Sequence, residues 1–198
     1  MVFHKYNLIF TAIPKNASSS VYDLLKNPTD RYHHHATLIN DYSENDSDLM
    51  ELYRSVCIVR NPYDRFISGC YQIRRDEPEL NGYLSLDEII EQEWKGRETG
   101  EINECFYPQH RFVCLGNKIL IDRILKYESL EKDWKEFAQD FNKESIFFLP
   151  STLPLSNNSS DRRTWEEEIK SLSDTNFELV NQKYKKDFEL FDYKMITR

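Results

Sequence analysis

The sequence predicts an α/β fold, an open parallel sheet flanked by helices on both faces. Two observations carry this reading. Four short apolar runs, Leu8–Ile13, Val56–Val59, Ile119–Ile124 and Ile146–Leu149, have the length and unbroken apolar character of strands buried on both sides. Stretches with helical spacing alternate with them, and strands alternating with helices assemble into a covered, parallel sheet.

The elements follow in order. After the first strand a helix begins near Ser18, with Val21, Leu24 and Leu25 on one face. The second strand leads into a helix at Pro62, with Asn61 placed as N-cap and proline at the first helical position. Ser85 with Glu88, and Thr164 with Glu167, each read as a capping box opening a helix. Ser129 starts a helix carrying Leu130, Trp134 and Phe137. Asp174 starts the last one, with Phe177, Val180, Tyr184, Phe188 and Phe191 at helical spacing.

A chain of 198 residues is long enough for one well-buried core, and a single domain over residues 1–198 is expected. The balance of 39% hydrophobic and 30% charged residues is that of a globular chain, not a disordered one. A net charge of −8 argues against a general nucleic-acid binder, which needs a basic face to displace counterions. The first residues hold no apolar run of signal-peptide length, and no later run approaches a membrane span. Cys57, Cys70, Cys105 and Cys114 show neither CxxC pairing nor zinc spacing, so buried free thiols and a cytoplasmic location are expected. Asn16, Asn45, Asn157 and Asn158 head Asn-x-Ser sequons, which with no export signal are read as chance.

Ligands of open α/β sheets sit beyond the carboxyl ends of the strands. The first strand runs into Pro14-Lys15-Asn16-Ala17-Ser18-Ser19-Ser20 and then a helix. That passage gathers unpaired backbone N–H groups, the positive end of a helix, small side chains, three hydroxyls and the Lys15 charge. It is the chemistry of a phosphate cradle, although it is not the Walker sequence GxxxxGK[ST]. Taken alone, a serine-rich helix start after a proline turn explains it equally well. The second strand ends at Arg60, whose planar fork suits a phosphate, and Ser68 lies about two helical turns later. Asp64 and Arg65, between them, read as surface charges.

Together, PKNASSS after one strand and RNPYDRFIS after another resemble the sulfotransferases that use 3′-phosphoadenosine 5′-phosphosulfate (PAPS). The likeness is greatest to the branch holding carbohydrate and heparan 2-O-sulfotransferases and their small bacterial relatives. It continues through PQHRFVCLGNKILIDRILKYESLEKDW and LVNQKYKKDFELFDY. The resemblance implies a P-loop-NTPase-like sheet, and a phosphosulfate held by Pro14, Lys15, Asn16, Ala17, Ser18, Ser19 and Ser20. It also implies a 3′-phosphate held by Arg60 and Ser68. Asn16 stands where threonine is commoner, and Leu153–Arg163, with Asn158, Ser159 and Arg162, matches the family only loosely.

His33, His34 and His35 are consecutive, followed by Ala36-Thr37. A solvated polar loop, a metal site and a catalytic base are the three readings. Neighbouring side chains do not converge on one metal, and no second ligand cluster accompanies them. An attacking hydroxyl must lose its proton, and imidazole titrates at roughly 6.5. The family's His-x-Thr segment falls on His35 best and His33 next, while His4 and His110 read as structural and Glu104 as a carboxylate in reserve.

The expected activity is therefore in-line sulfuryl transfer from PAPS, releasing PAP, to a hydroxyl of a carbohydrate or small metabolite, with no metal. Lys15 would hold charge on the bridging oxygen and His35 would take the acceptor proton. A sulfated polymer would need Arg31, Arg74 and Arg75 as a basic rim. The alternatives are a P-loop phosphotransferase, against which the missing Walker sequence counts, a nucleotide-binding module without chemistry, and a plain protein–protein interaction domain, which explains neither strand end.

Overall fold

The computed structural model describes residues 1–26, 52–76, 78–95, 102–154 and 164–198. Among them six strands form: β1 (Val2–Phe3), β2 (Leu8–Thr11), β3 (Arg54–Val59), β4 (Cys114–Leu115), β5 (Lys118–Ile119) and β6 (Arg123–Lys126). The helices are α1 (Ser18–Leu25), α2 (Pro62–Asp76), α3 (Pro78–Asn81), α4 (Leu86–Ile90), α5 (His110–Val113), α6 (Leu130–Glu144), α7 (Trp165–Glu168) and α8 (Asp174–Leu190). The chain divides into two compact units, Met1–Arg60 with Gln109–Asn158, and Asn61–Pro108 with Ser159–Arg198.

The first unit holds a four-stranded sheet in the order β1-β2-β3-β6. β2, β3 and β6 run parallel, and β1 pairs antiparallel with β2 at the edge. The mixed α/β class with a mostly parallel sheet is thus as the sequence predicts. Side chains alternate across the strands, so Leu8, Phe10, Val56, Ile58 and Leu125 share one face. That face is packed by Val21 and Leu25 of α1 and by Leu130, Trp134, Phe137 and Phe141 of α6. Ile9, Cys57 and Val59 on the opposite face are equally buried, which explains the continuous apolar runs. All four cysteines are buried free thiols, and burial raises the Cys57 thiol far above its ordinary range.

Two predicted strands need correction. The run Ile119–Ile124 is not one strand: its start pairs in a small β4–β5 hairpin, whose turn uses Gly116 at φ 61°. The chain then passes Asp122, whose carboxylate accepts from the Ser55 N–H (2.7 Å) and hydroxyl (2.8 Å), before β6 begins. The run Ile146–Leu149 forms no strand. Asn142 occupies both backbone groups of Leu149, accepting from its N–H (2.7 Å) and donating to its carbonyl (2.9 Å). Trp134 Nε1 donates to the Pro150 carbonyl next to it, so side chains satisfy backbone that a sheet neighbour would otherwise pair. Ile146 and Phe148 are correspondingly exposed.

The second unit is built on α2, α4 and α8. Both predicted capping boxes are present, Ser85 with Glu88 and Thr164 with Glu167. Asn61 caps α2 by accepting from the Tyr63 N–H at 2.9 Å. Arg65 is a further correction, because it is 1% exposed and its Nη1 donates to the Tyr107 carbonyl at 2.8 Å. The guanidinium as well as the stem is withdrawn from solvent, where the sequence predicts a surface charge.

Tyr63 is the centre of this core. Its ring stacks on Trp165 and Phe177 and tilts against Phe188. Its hydroxyl donates to Asn181 Oδ1 (2.7 Å) and accepts from the Ile196 N–H (3.0 Å). Tyr63→Phe keeps the ring and strands both partners, so stability should fall by about 1–3 kcal/mol in urea unfolding. A change below a few tenths would mean that the hydroxyl bonds add nothing net.

Candidate functional site

The register of the first unit places three strand ends at one edge. Thr11 of β2 lies opposite Cys57 of β3, and Val59 of β3 opposite Lys126 of β6. The chain leaves that edge through the Pro14–Ser20 loop, through Arg60 and through Tyr127.

The loop makes a tight reversal between Ile13 and Ser18. Lys15 (φ 70°) and Ala17 (φ 60°) both take left-handed backbone, which costs a residue with a Cβ roughly 1–2 kcal/mol each. Such strain in a strand-to-helix turn points to function rather than to packing. Ala17 is the N-cap of α1 and offers no side-chain cap. The first intrahelical bond runs from the Ser20 N–H to Ala17 (3.1 Å), so the amides of Ser18 and Ser19 come ahead of it. An uncapped helix start presents N–H donors and the positive end of the helix dipole, which suits an anion.

The loop side chains divide their tasks. Ser18 is buried and its hydroxyl donates to the Ile13 carbonyl at 3.0 Å, closing the turn, while Ser20 is buried and Ser19 exposed. Asn16 is 1% exposed and turns inward. Its Nδ2 donates to the Ile58 carbonyl and to Gln109 Oε1, each at 2.7 Å, and its Oδ1 is buried without a hydrogen-bond partner. This burial also removes Asn16 as a glycan acceptor. An orphaned acceptor of that kind costs about 1–3 kcal/mol.

Arg60 is held from three sides. Its Nη1 donates to the Lys15 carbonyl at 3.0 Å, and its guanidinium lies 4.2 Å from the centre of the Tyr127 ring. Its backbone N–H and carbonyl both bond the Gln109 side chain, at 2.9 and 2.8 Å. Stacking and a backbone carbonyl thus fix the direction of a planar cationic fork of the kind that suits an anion.

The sequence model of the sulfotransferase family matches residues 1–194. The chain belongs to the sulfotransferase family. No curated protein and no solved structure matches it. This sulfotransferase is accordingly a transferase of sulfuryl groups to a hydroxyl-bearing acceptor. Among the described residues no helix is long and apolar enough to cross a membrane.

Of the residues singled out in the sequence, the sulfotransferase's first unit brings together Pro14–Ser20 and Arg60. Ser68 belongs to the second unit, on α2, where it is 7% exposed. His33, His34, His35, Arg31, Asn158, Ser159 and Arg162 lie outside the described residues. Arg74 is engaged locally, donating from Nε to the Leu84 carbonyl at 2.9 Å. His4 is exposed and stands 3.1 Å from the Tyr53 hydroxyl. Gln109 and Tyr127 were not among the sequence candidates. Both stand in the stretch PQHRFVCLGNKILIDRILKYESLEKDW that carries the family likeness, Gln109 second in it and Tyr127 one place beyond a strand end, but the likeness gives neither a role.

Proposed function

We propose that this sulfotransferase uses PAPS as donor and passes the sulfuryl group to a hydroxyl of a carbohydrate or small metabolite. The observation that supports it best is the pairing, at one sheet edge, of a left-handed lysine loop with an arginine fixed on a tyrosine ring. A ligand with two separated phosphates matches two separate anion grips, and the donor set fits PAPS on that ground. The P-loop-NTPase kinship of the sheet belongs to the same reading, as does membership of the carbohydrate branch.

When bound, PAPS supplies the sulfuryl group and departs as PAP. Lys15 and the amides at the start of α1 hold negative charge at the phosphosulfate, where it grows as the bond to the leaving oxygen lengthens. Ser19 adds a hydroxyl donor from the exposed side of the turn. Arg60 holds the 3′-phosphate and so sets how far the donor slides into the loop. Ser68, eight residues on, carries the other half of that grip on the strength of the sequence motif. His35, with His33 in reserve, takes the acceptor's proton, so the attacking oxygen is nucleophilic only when aligned.

Thermal-shift measurements with PAP, AMP, ATP and GTP test the donor. A ligand bound by the native state alone raises the midpoint, and PAP should raise it more than AMP or ATP at equal concentration. In Arg60→Ala the advantage of PAP over AMP should disappear. Equal shifts for AMP and PAP in the wild type would remove the reason for naming PAPS, and a larger shift with ATP would favour phosphoryl transfer.

A further inference from the structure

The loop and Arg60 reach the sheet edge on different strands; the Arg60 side chain bonds the Lys15 carbonyl (3.0 Å), and one buried side chain, Gln109, bonds both the loop and the Arg60 backbone. Gln109 stands immediately before α5 and is fully buried. Its Oε1 accepts from Asn16 Nδ2 (2.7 Å) and from the Arg60 N–H (2.9 Å), and its Nε2 donates to the Arg60 carbonyl (2.8 Å). Bonding both the N–H and the C=O of one residue imitates a neighbouring strand, so Gln109 extends the ladder one step past the end of β3. Asn16 completes the link by donating its second amide hydrogen to Ile58 in β3.

These contacts fix the amide orientations without ambiguity. Asn16 Nδ2 faces two acceptors, the Ile58 carbonyl and Gln109 Oε1, so the nitrogen must point inward and the oxygen away. The arrangement leaves Asn16 Oδ1 buried and unpaired. Apolar side chains would fill this space but would take these partners from the Arg60 N–H and carbonyl and from the Ile58 carbonyl, so the two buried amides serve the backbone rather than packing. The two amides do something that apolar groups do not, in fixing the backbone of Lys15–Asn16 relative to that of Arg60.

We infer that Gln109 is a positioning residue that sets the spacing between the phosphosulfate loop and Arg60, and thereby the preference for a doubly phosphorylated nucleotide. The inference rests on the PAPS reading above. A ligand that engages two grips gains from the second only if their separation matches its own; when geometry forbids simultaneous engagement, the gain is lost. Each grip by itself has no need of the spacing. Gln109 should therefore matter to PAP far more than to either monophosphate.

The experiment is calorimetric titration of PAP, adenosine 5′-phosphate and adenosine 3′-phosphate into wild type, Gln109→Met and Gln109→Leu. Methionine keeps the length and leucine much of the apolar volume, and each removes the three bonds named above. In both variants the ratio of the 5′-phosphate Kd to the PAP Kd should fall about tenfold or more, while each monophosphate binds within about twofold of wild type. A purely structural role would lower the melting temperature and weaken all three ligands alike, leaving the ratio unmoved. An unchanged ratio in either folded variant overturns the inference while the PAPS reading stands. A wild type without preference for PAP overturns that reading and the inference with it.

Discussion

Lys15→Ala should lower kcat by about 10²–10³, the scale for removing one preorganised donor at developing charge, while PAP affinity changes only a few fold. The substitution is clean for a structural reason. Lys15 already sits at φ 70°, and alanine bears the same Cβ penalty there, so the loop keeps its strain and its shape. The Lys15 carbonyl that receives Arg60 Nη1 belongs to the backbone and is untouched. Asn16 still anchors the turn to β3. What disappears is one positive charge on a flexible stem. On the PAPS reading, that charge would meet in the ground state phosphosulfate oxygens that the amides at the start of α1 would also serve. As the leaving oxygen becomes more negative the ammonium gains most, so its loss appears in turnover rather than in binding. Single-turnover rates alongside PAP titrations separate the two. Equal losses in affinity and rate would make Lys15 an ordinary binding residue, and the leaving-group role would fall. Lys15→Arg keeps the charge on a wider, planar head and should recover only part of the rate.

The parts of this fold that sequence makes legible are those decided locally or by simple burial. β2 and β3 are buried on both faces, and so they read as unbroken apolar runs between turn signals. The Ser85–Glu88 and Thr164–Glu167 boxes are reciprocal bonds within four residues, so the pattern and the structure are nearly the same statement. Ile146–Leu149 misled because an apolar run says nothing about who takes the backbone hydrogen bonds, and Asn142 took them. Arg65 misled for a related reason. α2 buries Tyr63, Phe66, Ile67, Ser68, Gly69, Cys70 and Ile73 around most of its circumference, leaving no solvent face at Arg65. The site followed the same division. Pro14–Ser20 and Arg60 were legible as chemistry at strand ends, the rule for open sheets. Gln109 was not, since its partners stand 49 and 93 residues away and a lone glutamine gives no sign of them.

The largest expected effect lies at the proton. His35→Ala should lower kcat by about 10²–10⁴, the range for a lost general base, with PAP binding nearly unchanged. The histidine segment follows α1 in sequence, and α1 starts from the phosphosulfate loop, so the expectation places a base near the sulfuryl end of the donor. Its protonation state supplies a second readout. A base acts when neutral, so the wild-type rate should rise with pH through a single ionisation near the imidazole range of roughly 6.5. That limb should vanish in the variant, leaving a slow, nearly flat profile. His34→Ala should be almost silent, and His33→Ala is the reserve variant to measure. His35→Gln keeps a hydrogen-bonding side chain without a titrating nitrogen, and should be as slow as alanine if the role is proton transfer. A glutamine variant at near wild-type speed would instead mark an orienting hydrogen bond. Should all three alanine variants retain kcat within a few fold, the segment is a polar loop and the acceptor's proton leaves by another group, for which Glu104 is the next residue to replace.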